Sequence, residues 1–139
     1  MFRRMQGVTL LELMVVIVIV ALLASIAIPS YRSYLVRSHR TEATTALLQL
    51  RSAQEKFFLQ NGRYINTTAG LTAAPPAGLG LASTTPNGYY TVTVGGTVTA
   101  FTAQAVPAGG QAGDDQCQQF NINAAGEQTS APDTQYCWR

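Results

Sequence analysis

The sequence predicts an α+β fold. One long N-terminal α-helix, apolar in its first half and amphipathic in its second, packs on a small antiparallel sheet of three to four strands. Three observations carry this. From Val8 to Ile28 the chain has 21 residues, of which only Thr9, Glu12 and Ser25 are polar. Ala43, Ala46, Leu47, Leu50, Ala53, Phe57 and Phe58 then recur at three- and four-residue spacings, which gives a helix one apolar face. Past residue 87 the pattern turns to alternation, in GYYTVTV and TVTAFTAQAV on either side of Gly95-Gly96, a hairpin signal.

At 139 residues the chain has room for one domain besides the apolar run. Hydrophobic residues make up 47% and charged ones only 12%, a balance that excludes long disordered tails. The net charge of +2 hides an uneven distribution. Residues 29–63 hold Arg32, Arg37, Arg40, Arg51, Lys56 and Arg63 against Glu42 and Glu55, a net of +4. Residues 64–139 hold Arg139 against Asp114, Asp115, Glu127 and Asp133, a net of −3. Two solvated faces account for this asymmetry, and head-to-stem contact between copies is the alternative.

The apolar run comes first in the chain and decides most. As a helix it spans roughly 31 Å, about one bilayer core. A basic segment, MFRRMQG, precedes it. A secretory signal would also start basic, and Ser25-Ile26-Ala27 could serve as its cut. Such a signal has no use for Glu12, because a charge inside a bilayer costs about 2.5–3.5 kcal/mol. The run also exceeds the usual 7–15 or so apolar residues of a signal. A cut after Gly7 makes the charge useful. Val8 then carries a new α-ammonium, and Glu12 follows four residues later on the same helical face. Pairing of the two charges, within one helix or between neighbours, would neutralise both and fix the axial register of a helix bundle.

The basic leader, Gly7 and VTLLELMVVIVIVALLASIAIPSYRSYL resemble the N-terminal signature of type IV pilins and related pseudopilins. The resemblance implies a prepilin peptidase that cuts after Gly7 and methylates Val8, with Glu12 as the acidic residue of assembly and Pro29 as a helix kink. This chain has Val8 where phenylalanine is usual and Ala21 where many major pilins have glycine. The domains implied are a leader over 1–7, a transmembrane or filament-core helix over 8–30, and a head over 31–139. Arginines flank the apolar run on both sides, at Arg3, Arg4, Arg32, Arg37 and Arg40, so the positive-inside rule does not orient it. The resemblance does: single-pass in the bacterial inner membrane, head in the periplasm, then outside the cell in a pilus. Implied partners are other pilin subunits through the N-terminal helix, the peptidase, the inner-membrane assembly machinery, and the membrane before assembly.

The second helix half places Arg40, Glu42, Arg51, Glu55 and Lys56 around its apolar stripe, and Asn61-Gly62 supplies the stop. One helix over about 8–60, bent at Pro29, is expected. Residues 61–87, rich in Gly, Pro, Ser and Thr, read as a loop held on the sheet by Leu71, Leu79 and Leu81. A third strand is expected at about 117–122 and a fourth near 127–130, with Gly126 in the turn.

Cys117 and Cys137, if bridged, close a loop with 19 residues between them, worth about 3 kcal/mol on a chain-entropy account. Two free thiols in a cytosolic protein would look the same. The resemblance implies the bridge, since pilins have a disulfide-bounded C-terminal region in an oxidising compartment. Together with SYRSYLVRSHRTEATTALLQLRSAQEKFFLQNGRY and the tail from CQQFNINAAGEQ to CWR, the chain looks most like minor pilins of the PilE type. That implies a role in assembly and initiation of the pilus, and so in twitching motility and adhesion. A major pilin and a type II secretion pseudopilin are the alternatives within the architecture, and a soluble secreted or DNA-binding protein is the alternative outside it.

Nothing points to catalysis. The one histidine, His39, is expected on a solvated basic helix face, and no nucleophile motif or paired-carboxylate spacing appears. No cofactor or metal is expected. Asp114, Asp115 and Asp133 could gather a calcium ion, but their spacing matches no EF-hand loop and they read as solvated turn residues. Arg32, Arg37, Arg40, Arg51 and Lys56 form a basic series that could meet DNA, though a filament would bury much of it. Tyr89, Tyr90 and Phe101 read as sheet-core and cross-strand residues rather than a stacking platform.

Overall fold

The structure, a computed structural model, describes residues 7–132 and 134–138, with the backbone alone at 134 and 135. Residues 1–6 of the expected leader, Asp133 and Arg139 lie outside the described residues. The chain divides into two compact units, Met1–Leu35 and Val36–Arg139.

One helix, α1, runs Leu10–Asn61. It starts two residues later than expected, because Thr9 takes the capping position. The Thr9 Oγ1 accepts from the Glu12 N–H at 3.2 Å, and the Thr9 carbonyl accepts from Leu13 N–H at 3.2 Å, which satisfies donors a first turn would leave open. The helix continues through Pro29. In the first unit Ser25 and Ser33 turn their hydroxyls back onto the carbonyls of Leu22 and Pro29, so neither presents an unmet donor to an apolar surround. At the other end Gly62, at φ +66°, donates to the Phe58 carbonyl at 2.7 Å, and the expected stop is where the helix ends.

The second unit sets α1 residues against a four-stranded antiparallel sheet in the order β1 (Tyr90–Gly96), β2 (Phe101–Pro107), β3 (Cys117–Asn123), β4 (Gln128–Pro132). The predicted fold class holds. Alternation places Tyr90, Val92, Val94, Phe101, Ala103, Ala105, Phe120 and Ile122 in one core with Ala43, Leu47, Leu50 and Leu71, each large side chain contributing about 1.5–3 kcal/mol by leaving water. On the other face, the pairings Thr93–Gln104, Gln104–Asn121 and Asn121–Thr129 draw one uncharged row across all four strands.

Two details differ from expectation. Gly95 and Gly96 belong to β1, and the hairpin turn is Thr97–Ala100, closed by Thr97 N–H to the Ala100 carbonyl at 2.7 Å. Gly96 is needed there because a Cβ would sit 2.4 Å from the Ala100 oxygen. The 61–87 segment is indeed packed through Leu71, Leu79 and Leu81, but it also contains a short helix, α2 (Thr68–Thr72), capped by Thr67. Five residues are too few for periodicity to reveal. The buried Gln54 braces this segment by pairing its amide with both the N–H and the carbonyl of Ile65, at 2.9 and 2.6 Å.

Tyr90 is fully buried in this core. Burial first, and then the charge of Asp114, push its phenol up to about 12 from 10.0. Below pH 10 the phenol keeps its proton in both states. Between pH 10 and 12 the unfolded chain sheds that proton and the folded chain does not, so stability falls with rising pH. Tyr90→Phe should flatten this alkaline limb in denaturant unfolding measured at pH 9, 10 and 11; an unchanged slope would assign the loss to other groups.

Candidate functional site

Two regions carry the features singled out in the sequence. At the N-terminus, Gly7, Val8 and Thr9 precede the helix and are exposed, Val8 at 71%. Glu12 lies in the first turn of α1 and is exposed too. Around it Leu10, Leu11, Leu13, Met14 and the residues on to Ile28 turn apolar side chains outward over the whole circumference. The helix is long and apolar enough to cross a membrane, and none of its most apolar stretch is buried. Such a surface needs lipid or other apolar helices to cover it. In that cover a lone carboxylate needs a cation.

The second region is built around the Cys117–Cys137 disulfide, which is formed, with the Cα atoms 5.7 Å apart. Tyr136 and Cys137 sit on α3 (Thr134–Cys137), behind β4. Beside the bridge, Arg40 of α1 grips Asp114 with two hydrogen bonds, Nε to Oδ2 at 2.8 Å and Nη2 to Oδ1 at 2.7 Å. The side chains are only 7% and 1% exposed. The carboxylate also accepts from Gln111 Nε2 and from the backbone N–H groups of Gln116 and Cys117, at 3.1, 3.3 and 3.2 Å. Gln111 Nε2 further donates to the Val36 carbonyl at 2.9 Å. Every oxygen of Asp114 is thus engaged, which leaves none for a cation.

Three expectations are corrected here. Asp114 is a buried ion-pair partner rather than a solvated turn residue, because the turn after the 3-10 segment Gly109–Gln111 points it at α1. Arg40 lies on the buried face of α1, not among the charges around it. His39 is half-buried, stacked on Tyr89 with ring centroids 3.9 Å apart, and its Nδ1 lies 3.1 Å from Gln111 Oε1. One signal was available for two of the missed residues. Arg40, Ala43, Leu47, Leu50, Gln54 and Phe57 follow one another by three or four residues, so Arg40 extends the apolar stripe at its start and Gln54 lies within it. Asp115, in contrast, is exposed as expected.

Set against known proteins, residues 2–28 match the prokaryotic N-terminal methylation motif. Residues 29–121 match the family model described as type IV minor pilin ComP, DNA uptake sequence receptor. The chain belongs to the type IV pilin family. This is a structural family, not one of enzymes. Among its relatives, the type IV major pilin PilA of Myxococcus xanthus is 41% identical over 75 residues, 54% of this chain and 34% of that protein. The type II secretion system core protein G of Pectobacterium carotovorum is 41% identical over 70 residues, 50% of this chain and 45% of that protein. In both cases the match spans less than half of the relative's length. The structure of the non-core minor pilin PilV of Neisseria meningitidis superposes with a TM-score of 0.53 at 23% identity, over 76% of this pilin and 95% of PilV, a likeness of fold.

The buried pair and the exposed acid beside it should respond differently to truncation. Asp114→Ala in this pilin strands the Arg40 guanidinium and should cost about 3–5 kcal/mol, whereas Asp115→Ala should stay within about 0.5 kcal/mol. Denaturant unfolding of both variants at pH 7 checks this; equal effects would refute the assignment.

Proposed function

We propose that this chain is a minor subunit of a type IV pilus that takes part in starting filament assembly, and through it in twitching motility and adhesion. The observation that carries the reading is the N-terminal half of α1, apolar and exposed on all sides with one carboxylate, Glu12. A prepilin peptidase removes residues 1–7 by cutting after Gly7 and methylates Val8. Residues 8–30 wait in the inner membrane with the head, 31–139, in the periplasm, and Pro29 marks the bend. The assembly machinery then moves the helix from lipid into a bundle of pilin helices. Apolar burial is conserved in that transfer, and packing with the ammonium–Glu12 pair is added. The match of the methylation motif to residues 2–28 supports the processing step. The description of the model matched over 29–121 supports a minor rather than a major subunit. A type II secretion pseudopilin remains the alternative within the architecture, since relatives of that kind match as well.

In cells making the full-length protein, Glu12→Ala should leave membrane levels and the mature N-terminus at Val8 unchanged. Its amount in sheared surface filaments should drop by at least about tenfold, since the ammonium loses its only partner in an apolar bundle. Normal incorporation would defeat the reading, and a secretion defect with intact surface filaments would favour the pseudopilin.

A second reading rests on the words DNA uptake sequence receptor in that same family description. The uncharged row Thr93–Gln104–Asn121–Thr129 offers phosphates no cation, whereas Lys56 and Arg63 are exposed on and just beyond α1. Detergent-solubilised protein should then be retained on duplex DNA at low salt and released steeply as salt rises. Lys56→Ala with Arg63→Ala should shrink the log–log slope by roughly 0.9 for each phosphate that is no longer neutralised. Retention that ignores salt would sink this reading.

A further inference from the structure

Beside the disulfide lies a cleft of about 350 Å³ lined by Asp115, Gln116, Pro132 and Tyr136. Its walls are held from behind. Asp115 and Gln116 sit between Asp114, locked to Arg40, and Cys117. Tyr136 directly precedes Cys137, and the Cys117–Cys137 bond ties the two walls together. The groups facing the cleft stay free: Asp115 is exposed, its carboxylate has no ion-pair partner among the described residues, and Tyr136 is 59% exposed. The cleft therefore presents an unpaired carboxylate and the apolar surfaces of a tyrosine and a proline, on backbone that the disulfide and the Arg40–Asp114 pair hold before any partner arrives.

That combination repels phosphate and suits a flat cation. A guanidinium can pair with a carboxylate through its fork while its plane lies on an aromatic ring, which a lysine ammonium cannot do. Along α1 the chain exposes two such groups. Arg32 and Arg37 on α1 are exposed and have no ion-pair partner among the described residues. Both lie in the basic stretch, as Asp115 lies in the acidic one. We infer that the Asp115–Tyr136 cleft receives an arginine of a second copy of this chain, Arg32 or Arg37, and so joins the head of one subunit to the stem of another. This rests on the reading that copies meet in a filament.

The test uses two full-length copies with different tags, made in the same membranes and co-purified in mild detergent. Asp115→Arg should lower co-purification on the order of fivefold to tenfold, with an unchanged melting temperature. Combining it with Arg37→Glu or Arg32→Glu should restore the yield and name the arginine. The wild-type yield should fall between about 50 mM and about 500 mM salt, as expected for exposed charges. Three outcomes would overturn the contact: wild-type copies that do not co-purify, Asp115→Arg copies that co-purify as wild type, or a loss that neither swap repairs. The filament reading is judged separately, by wild-type protein in sheared filaments. Its presence there alongside any of these outcomes would remove this contact and leave the pilin role standing.

Discussion

The head depends on one buried pair of charges. Arg40 and Asp114 are 74 residues apart in sequence and meet where water is scarce, so their attraction must offset the loss of hydration of both. A pair of this kind is tolerable only when its remaining donors and acceptors are met, and the surrounding structure meets them. Gln111, Gln116 and the Cys117 N–H complete the carboxylate, Gln116 Oε1 accepts from Arg40 Nη2 at 3.1 Å, and Gln111 ties the same cluster to the Val36 carbonyl and to His39. The chain between β2 and β3 thereby takes one course, and the cysteine that follows is presented to its partner. Apolar packing alone would leave that stretch free to slide, because it contributes few large side chains.

One helix serves two surroundings, and its residues change character accordingly. From Val8 to Ile28 nearly every side chain faces outward and all but three are apolar, so no face is special. After residue 36 only one side is buried, and the opposite side exposes Thr41, Thr45, Gln49, Ser52 and Lys56 to solvent. The core of the second unit is complete with Ala43, Leu47, Leu50 and Phe57 from the helix.

The long helix, its stop, the core strands and the family were legible in the sequence because each rests on a repeated pattern or a dense local motif. The apolar run, the three-four spacing and the alternating strands all sum many residues. What stayed hidden depends on a meeting of distant single residues. Nothing in the vicinity of Asp114 says that a guanidinium lies opposite, and His39 in RSHR reads as one more solvated polar residue until Tyr89 is seen to cover it. Arg40 and Gln54 could have been suspected from their place on the stripe. Their polarity argued against burial, and partners that outweigh that preference come from far along the chain. The α2 turn and the shifted hairpin were missed for a different reason: both are set by single backbone requirements, at Thr67 and Gly96, which periodicity does not register.

The cap at Thr9 makes the start of α1 self-contained. The bonds that open α1 run from Glu12 N–H and Leu13 N–H to Thr9 itself, and none of them reaches back to Gly7 or beyond. A cut behind Gly7 would therefore leave these bonds intact while it removes Arg3 and Arg4 and moves the α-ammonium to Val8, one residue ahead of the cap. Such a cut would change the charge in front of the helix and not the bonds that start it.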